Sequence, residues 1–286
     1  MKWTPGTEND DVVDQRGKRP SGAVLAGGSV GAALVVFVVA RLFGIDISGL
    51  FSSNNDTTTT STTQSGSAQP PTGPDPDAQL VSFVKFVTTD IQDTFAAKFK
   101  ADGKPYRRAK VILFTQLTDT ACGRSSAAIG PFYCPGDEHA YIDLSFYKEL
   151  RARFGAPGDF AQAYVLAHEL GHHLQKLLGI EQRMSSFHSG ETRNASSVRL
   201  ELQADCYAGV WGNAAQGKNL LEQGDLEEAL TAASAIGDDR LEKQAGVDVN
   251  PETFTHGTSA QRVKWFRRGF ASGKFTDCDT FTIEEP

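Results

Sequence analysis

The chain has 286 residues, of which 40% are hydrophobic and 22% are charged, and its formal net charge is -7. This composition excludes a disordered chain and is sufficient for one substantial hydrophobic core with appendages. The acidic balance, without a basic stripe interleaved with aromatic residues, argues against a nucleic-acid partner.

An uncharged run near the N-terminus predicts a membrane span. Residues 22–40 carry no charge, and with residues 41–43 the run is long enough to cross the hydrocarbon core of a bilayer. We therefore predict a transmembrane helix over residues 22–43, preceded by an N-terminal tail over residues 1–21. A cleaved signal peptide is the main alternative, although the run is longer than a usual signal-peptide core.

The distribution of basic residues predicts how that span is oriented. Arg16, Lys18 and Arg19 precede it closely, whereas the next basic residue after Arg41 is Lys85. The positive-inside rule then predicts a single-pass protein with a cytoplasmic N-terminus and an extracytoplasmic C-terminal domain.

Two further features belong to this N-terminal part. Gly27 and Gly31 form a small-xxx-small pair, which would allow two spans to pack as a homodimer. Residues 44–76 are rich in Ser, Thr and Pro and have too little apolar surface to fold, so they are predicted to be a flexible linker.

The remaining residues, 77–286, mix helical and strand patterns. Apolar residues at helical spacing predict a helix over 80–99. A β-branched run predicts a strand over 110–116, and alternating residues predict another over 139–146, followed by a helix over 146–154. We therefore expect an α+β domain.

The segment 168–172 reads HELGH, within a stretch whose apolar stripe and terminal Gly179 predict a helix. His168 and His172 would project from one face and share a metal, with Glu169 beside them as general base for a water molecule. The predicted cofactor is one Zn2+ per chain. The alternative is that the histidines lie on the exposed face of an amphipathic helix.

A catalytic zinc site usually has three protein ligands plus water, so a third ligand is required. Glu201 and Asp205 lie one turn apart on a predicted helix that opens at Ser197. We predict that Glu201 is the third ligand and that Asp205 orients a ligand histidine through its other ring nitrogen. Asp205 as the ligand and an acidic surface face paired with Arg199 are the alternatives. His173 lies well around the helix from the first histidine, which favours a supporting or surface role.

Because the domain is expected to lie in an oxidising space, its four cysteines are predicted to form two disulfides. Cys122 and Cys134 would close a loop rich in Gly and Pro, and Cys206 and Cys278 would hold the C-terminus behind the carboxylate helix. Free thiols, and Cys206 as a zinc ligand, are the alternatives.

Local signals also predict the remaining elements. Asp225 with Glu228 and Thr258 with Gln261 have the spacing of capping boxes that start the last two helices. Residues 181–197 are polar and weakly patterned, which is typical of a rim or lid.

Five motifs together resemble the bacterial neutral zinc metallopeptidases: HELGHH at 168–173, ELQADC at 201–206, GPFYCP at 130–135, YIDL at 141–144 and HGTS at 256–259. The resemblance covers nearly the whole chain, including its Met-Lys-Trp opening. It implies a zincin-like fold with a gluzincin ligand set, in which His168, His172 and Glu201 bind zinc. It also implies that Glu169 is the general base and that Asp205 supports a ligand.

The expected activity is that of a membrane-anchored, extracytoplasmic zinc endopeptidase acting on a peptide or protein. A non-catalytic peptide- or envelope-binding module with a structural zinc is the alternative from another class, and a zinc amidase on cell-wall peptides is a third option. His256 is a candidate catalytic donor to the developing oxyanion, or else a histidine that only supports its loop. Tyr141 and His188 are weaker candidates for that donor, and we also expect Tyr141 to bind substrate.

Overall fold

The computed structural model describes residues 1–18, 73–180 and 193–286. Within these ranges the fold is α+β, with small sheets and a larger helical part. Its helices are α1 (Ala78–Ala101), α2 (Ser145–Ala152), α3 (Asp159–Leu178), α4 (Arg193–Gly217), α5 (Asp225–Ala235), α6 (Asp238–Gln244) and α7 (Ser259–Ser272). Its strands are β1 (Val12–Asp14), β2 (Lys110–Phe114), β3 (Leu117–Thr120), β4 (Gly123–Ser126), β5 (Phe132–Cys134) and β6 (His139–Asp143).

The main sheet has the strand order β1-β2-β6-β5. β1 and β6 both run parallel to β2, and β5 runs antiparallel to β6. The strand pair β3 and β4 forms a separate antiparallel hairpin. The predicted strands over 110–116 and 139–146 are thus present, although each ends two or three residues earlier than the pattern indicates.

The predicted helices are also present, with some differences at their starts. α1 covers the predicted 80–99 stretch, and α3 ends as expected at Gly179, which adopts a left-handed conformation with φ 64°. The capping box of Thr258 and Gln261 is confirmed. The box predicted for Asp225 and Glu228 is wrong, because the Glu228 carboxylate instead accepts a hydrogen bond of 3.2 Å from the backbone N–H of Phe160, in the first turn of α3.

Glycines bring the central helices unusually close together. A Cβ atom on Gly269 of α7 would lie 1.9 Å from the carbonyl oxygen of Cys206 on α4, and one on Gly209 would lie 2.1 Å from the carbonyl oxygen of Phe266. A Cβ atom on Gly171 of α3 would lie 3.0 Å from the carbonyl oxygen of Ala204. Gly209 and Gly269 permit backbone approaches that a side chain would block, Gly171 makes a tight one, and together they place α4 between α3 and α7.

The N-terminal segment is part of the folded domain. β1 pairs with β2 so that Val12 lies opposite Val111, and the ring of Trp3 packs edge-on against Phe83 with a centroid distance of 5.5 Å. The Met1 ammonium group contacts Asp159 at the start of α3. Residues 1–18 are therefore not a separate tail, contrary to the prediction for residues 1–21.

The predicted membrane localisation is wrong. Among the helices of the described ranges, none combines the length and the apolar composition that a membrane crossing requires. The predicted orientation also fails, because one crossing between residues 18 and 73 would separate β1 from β2, which are paired in one sheet. The expected span over 22–43, with Gly27 and Gly31, and most of the linker over 44–76 lie outside the described residues.

Candidate metal centre

Two histidines of α3 face one carboxylate of α4. The imidazole rings of His168 and His172 are 4.8 Å apart between centroids, as expected for residues one turn apart on a helix. The Glu201 carboxylate lies across from both, with one oxygen 3.1 Å from His168 Nε2 and the other 3.5 Å from His172 Nε2. One potential ligand atom from each residue lies within 4.8 Å of the others.

The remaining ring nitrogens identify the tautomer of each histidine. His168 Nδ1 lies 2.8 Å from Asp205 Oδ1, and His172 Nδ1 lies 2.8 Å from Gln175 Oε1. Carboxylate and carbonyl oxygens can only accept here, so both Nδ1 atoms donate. Each Nε2 is then directed toward the Glu201 carboxylate. Two imidazole nitrogens and a carboxylate form a donor set that suits zinc, and the residues present therefore fit the metal.

Charge couples these groups strongly. Burial lowers the pKa of His168, but the charge of Asp205 and the hydrogen bonds to Asp205 and Glu201 outweigh burial and raise that pKa to about 10. Burial likewise opposes ionisation of Glu201, yet the neighbouring histidines hold its pKa well below the usual range. Without metal, the cluster is thus a carboxylate paired with a protonated histidine.

Asp205 forms a buried ion pair with Arg262. Arg262 of α7 donates from Nε to Asp205 Oδ2 at 2.8 Å and from Nη2 to Asp205 Oδ1 at 3.0 Å, and the Tyr164 hydroxyl donates to Oδ1 at 2.5 Å. Both Arg262 and Asp205 are fully buried. Burial raises the pKa of Asp205, but Arg262 and His168 outweigh burial and lower it. Sequence analysis predicted the position of Asp205 but missed Arg262 and Tyr164.

A cavity of about 550 Å³ opens beside the cluster and includes Glu169 in its wall. Glu169 is itself buried, and burial raises the pKa of its carboxyl group. A carboxylate with a raised pKa next to the histidine pair is suited to accept a proton. The cavity is also lined by apolar side chains: Ile129, Pro131, Phe132, Phe146, Phe154, Val165, Leu200, Ile236 and Leu241.

His256 lies in the wall of the same cavity. Asp238, at the start of α6, accepts hydrogen bonds from the backbone N–H groups of Thr255, His256 and Gly257 and lies 3.0 Å from His256 Nδ1. Burial lowers the pKa of His256, whereas Asp238 and the charge of Glu201 raise it, and the net shift is upward. The loop is thus fixed by one aspartate that the sequence pattern did not single out.

Other predicted residues lie elsewhere. Tyr141 is not among the residues that line the cavity, and its role in substrate binding stays a prediction: its hydroxyl donates to Asp137 at 2.8 Å and its ring stacks on Phe132. His173 is buried between the Tyr133 hydroxyl and the Arg107 carbonyl, in agreement with a supporting role. His188 lies outside the described residues.

Both predicted disulfides are confirmed. Cys122 is bonded to Cys134, and this bridge closes the loop that supplies Gly130 and Pro131 to the cavity wall. Cys206 is bonded to Cys278, which leaves no cysteine free in the described residues and excludes Cys206 as a metal ligand.

Comparison with known proteins agrees with this geometry. The family described as "Putative neutral zinc metallopeptidase" matches residues 1–281. The chain is 45% identical to "Uncharacterized protein YpfJ" of Escherichia coli K12, over 98% of this chain and 99% of that one. It is 46% identical to "Uncharacterized protein Rv2575" of Mycobacterium tuberculosis H37Rv, over 63% of this chain and 64% of that one. No solved structure matches it significantly. The chain therefore belongs to the neutral zinc metallopeptidase family that this description names.

Proposed function

We propose that the chain is a zinc-dependent endopeptidase whose metal is held by His168, His172 and Glu201. The observation that carries the proposal is the convergence of these three side chains, with ligand atoms within 4.8 Å of one another, beside a cavity that also contains Glu169. When bound there, zinc would act as a Lewis acid that makes a water molecule more acidic and polarises the scissile carbonyl group.

The residues of the chain supply the proton transfers. Glu169 accepts a proton from the attacking water molecule and then donates it to the leaving amine, for which its raised pKa is suited. His256, held by Asp238, donates a hydrogen bond to the carbonyl oxygen as negative charge develops there. Asp205 holds the ligand histidine His168 with its Nδ1–H directed away from the metal position.

The lining of the cavity favours substrates with bulky apolar side chains. Three aromatic residues contribute to its wall: Phe132 of β5, Phe146 of α2, and Phe154, which follows α2. Burying an apolar side chain against such a wall stabilises binding by about 1.5–3 kcal/mol. We therefore expect cleavage next to Leu, Phe or similar residues.

The direct test is incubation of the purified full-length chain with a peptide library, followed by mass spectrometry. We expect cleavage beside apolar residues that stops when a zinc chelator is added and returns when Zn2+ is restored. Glu169→Gln is the matched control, because the amide preserves size but cannot accept the proton. A zinc-loaded wild-type protein that cleaves nothing, or a Glu169→Gln variant with full activity, would refute the proposal.

A further inference from the structure

We propose that Gln175 and Gln203 are positioning residues for His172, and that the Cys206–Cys278 disulfide supports them. This inference rests on the proposed zinc site, and it concerns how firmly the chain holds that metal. It assigns a role to two buried amides and to one disulfide. The Arg262–Asp205 ion pair contacts only one of the two ligand histidines, His168.

The amide group of Gln175 has contacts at both ends. Its Oε1 accepts from His172 Nδ1 at 2.8 Å, while its Nε2 donates to the Leu200 carbonyl oxygen at 2.7 Å and to Gln203 Oε1 at 3.1 Å. Gln175 is 1% exposed. Because exchanging the amide oxygen and nitrogen would break all three bonds, the amide has one favourable orientation, and this orientation specifies the tautomer of His172.

Gln203 extends the same chain of hydrogen bonds to the C-terminal segment. Its Nε2 donates to the carbonyl oxygen of Cys278 at 3.0 Å, and its side chain is buried. Cys278 is bonded covalently to Cys206, three residues after Gln203 on α4. The carbonyl that orients Gln203 is therefore tied to the helix that carries Glu201.

The two ligand histidines are thus supported by chemically different groups. His168 donates to the Asp205 carboxylate, whose charge is balanced by Arg262. His172 donates to a neutral amide, which orients the ring without adding a negative charge beside Glu201 and Glu169. Among the described residues the contacts of this amide are neutral, and its orientation depends on the Leu200 carbonyl oxygen and on Gln203, which the disulfide-bonded segment supports. A change in Gln203 or in the disulfide should therefore weaken, but not abolish, the orientation of His172.

The first experiment measures the rate of zinc loss from the full-length chain to a chromogenic chelator. Groups that orient a metal-bound histidine typically affect metal affinity by 10- to 100-fold. We expect Gln175→Leu to accelerate zinc loss by roughly 10- to 100-fold and Gln203→Leu to accelerate it by a smaller factor. Gln92→Leu is the matched control, because Gln92 is a buried glutamine of α1 that hydrogen-bonds the backbone of Ala109, directly before β2. It should leave the rate unchanged.

The disulfides provide a second matched pair. Replacing Cys206 and Cys278 by Ala should accelerate zinc loss as Gln203→Leu does, whereas replacing Cys122 and Cys134 by Ala should not. Circular dichroism checks that each variant is folded. A Cys206/Cys278 variant that is folded and loses zinc no faster than the Cys122/Cys134 variant would refute the role of this disulfide.

A spectroscopic measurement separates this inference from the zinc proposal itself. In nitrogen-15 spectra of the zinc-free chain, His172 should occupy the Nδ1–H tautomer in the wild type and a mixture in Gln175→Leu, while His168 stays unchanged. If the wild type binds no zinc, the zinc proposal fails and the tautomer still tests the role of Gln175. If folded Gln175→Leu and Gln203→Leu variants keep the wild-type tautomer and rate of zinc loss, the inference is overturned.

Discussion

Replacing Arg262 by Met should destabilise the metal-free protein strongly. Arg262 and Asp205 are 2% and 0% exposed, and two hydrogen bonds of 2.8 and 3.0 Å join them. Removing one partner of such a pair leaves a buried charge without compensation, which costs about 3–5 kcal/mol of the free energy of unfolding. In a chain of this size, that loss would lower the melting temperature by on the order of 10 °C.

The assay is urea unfolding of the zinc-free full-length chain, followed by circular dichroism. Arg262→Lys retains the charge but not the bidentate hydrogen bonding to Asp205, so its loss in free energy of unfolding should lie between zero and that of Arg262→Met. Arg267→Met is the matched control, because Arg267 lies on the exposed face of the same helix. A loss below about 1 kcal/mol for Arg262→Met would refute the reasoning that this ion pair supports the site.

Three further predictions concern catalysis and pH. His256→Ala should lower kcat and kcat/KM together by roughly 10²- to 10³-fold at unchanged zinc content, whereas a loss of zinc in metal analysis would make His256 a ligand. The pKa of His168, raised to about 10, predicts a stabilisation of the zinc-free protein that is complete below about pH 6.5 and lost as pH rises through 10. In urea unfolding, the free energy of unfolding of the wild type should be lower at pH 9.5 than at pH 7, and that of His168→Gln should not show this decrease. An equal pH dependence in the two proteins would contradict the prediction. Phe146→Ala should lower kcat/KM for apolar substrates by roughly 10-fold or more in steady-state assays. Leu117→Ala is the control and should not lower it, because Leu117 is 41% exposed and does not line the cavity. Equal losses in both variants would count against a role of the apolar wall in substrate binding.

The parts of the fold that were predictable from sequence depend on local patterns. The spacing of His168 and His172, the left-handed Gly179, and the Thr258–Gln261 box each involve residues within one element, where helix geometry relates sequence directly to position. Both disulfide pairings were predictable once the cysteines were expected to be oxidised, because four cysteines allow few pairings.

The features that were missed depend on contacts between distant segments. Arg262 and Asp205 are 57 residues apart in sequence, and nothing in the local pattern of α7 indicates that this arginine faces inward. Glu228 has the spacing of a capping residue for its own helix but binds Phe160 instead, because α5 lies against the start of α3. Gln175 was the most accessible omission, since it lies three residues after His172 on the same helix face.

The N-terminal residues show why the membrane prediction failed. The uncharged run after residue 21 and the basic residues before it satisfy the usual rules for a span. Those rules do not consider whether the flanking segments pair with each other. Val12 and Val111 lie opposite one another in parallel strands, and this pairing is visible only in the folded structure.

The most direct test of the proposed site is the zinc content of the purified full-length chain and its variants. We predict one zinc per wild-type chain and a strong loss in His168→Ala, His172→Ala and Glu201→Ala, with full occupancy in the control Glu227→Ala, a glutamate on the exposed face of α5. Asp205→Ala should weaken binding by roughly 10- to 100-fold. Full zinc occupancy in Glu201→Ala, together with its loss in Asp205→Ala, would contradict the assignment of Glu201 as the third ligand.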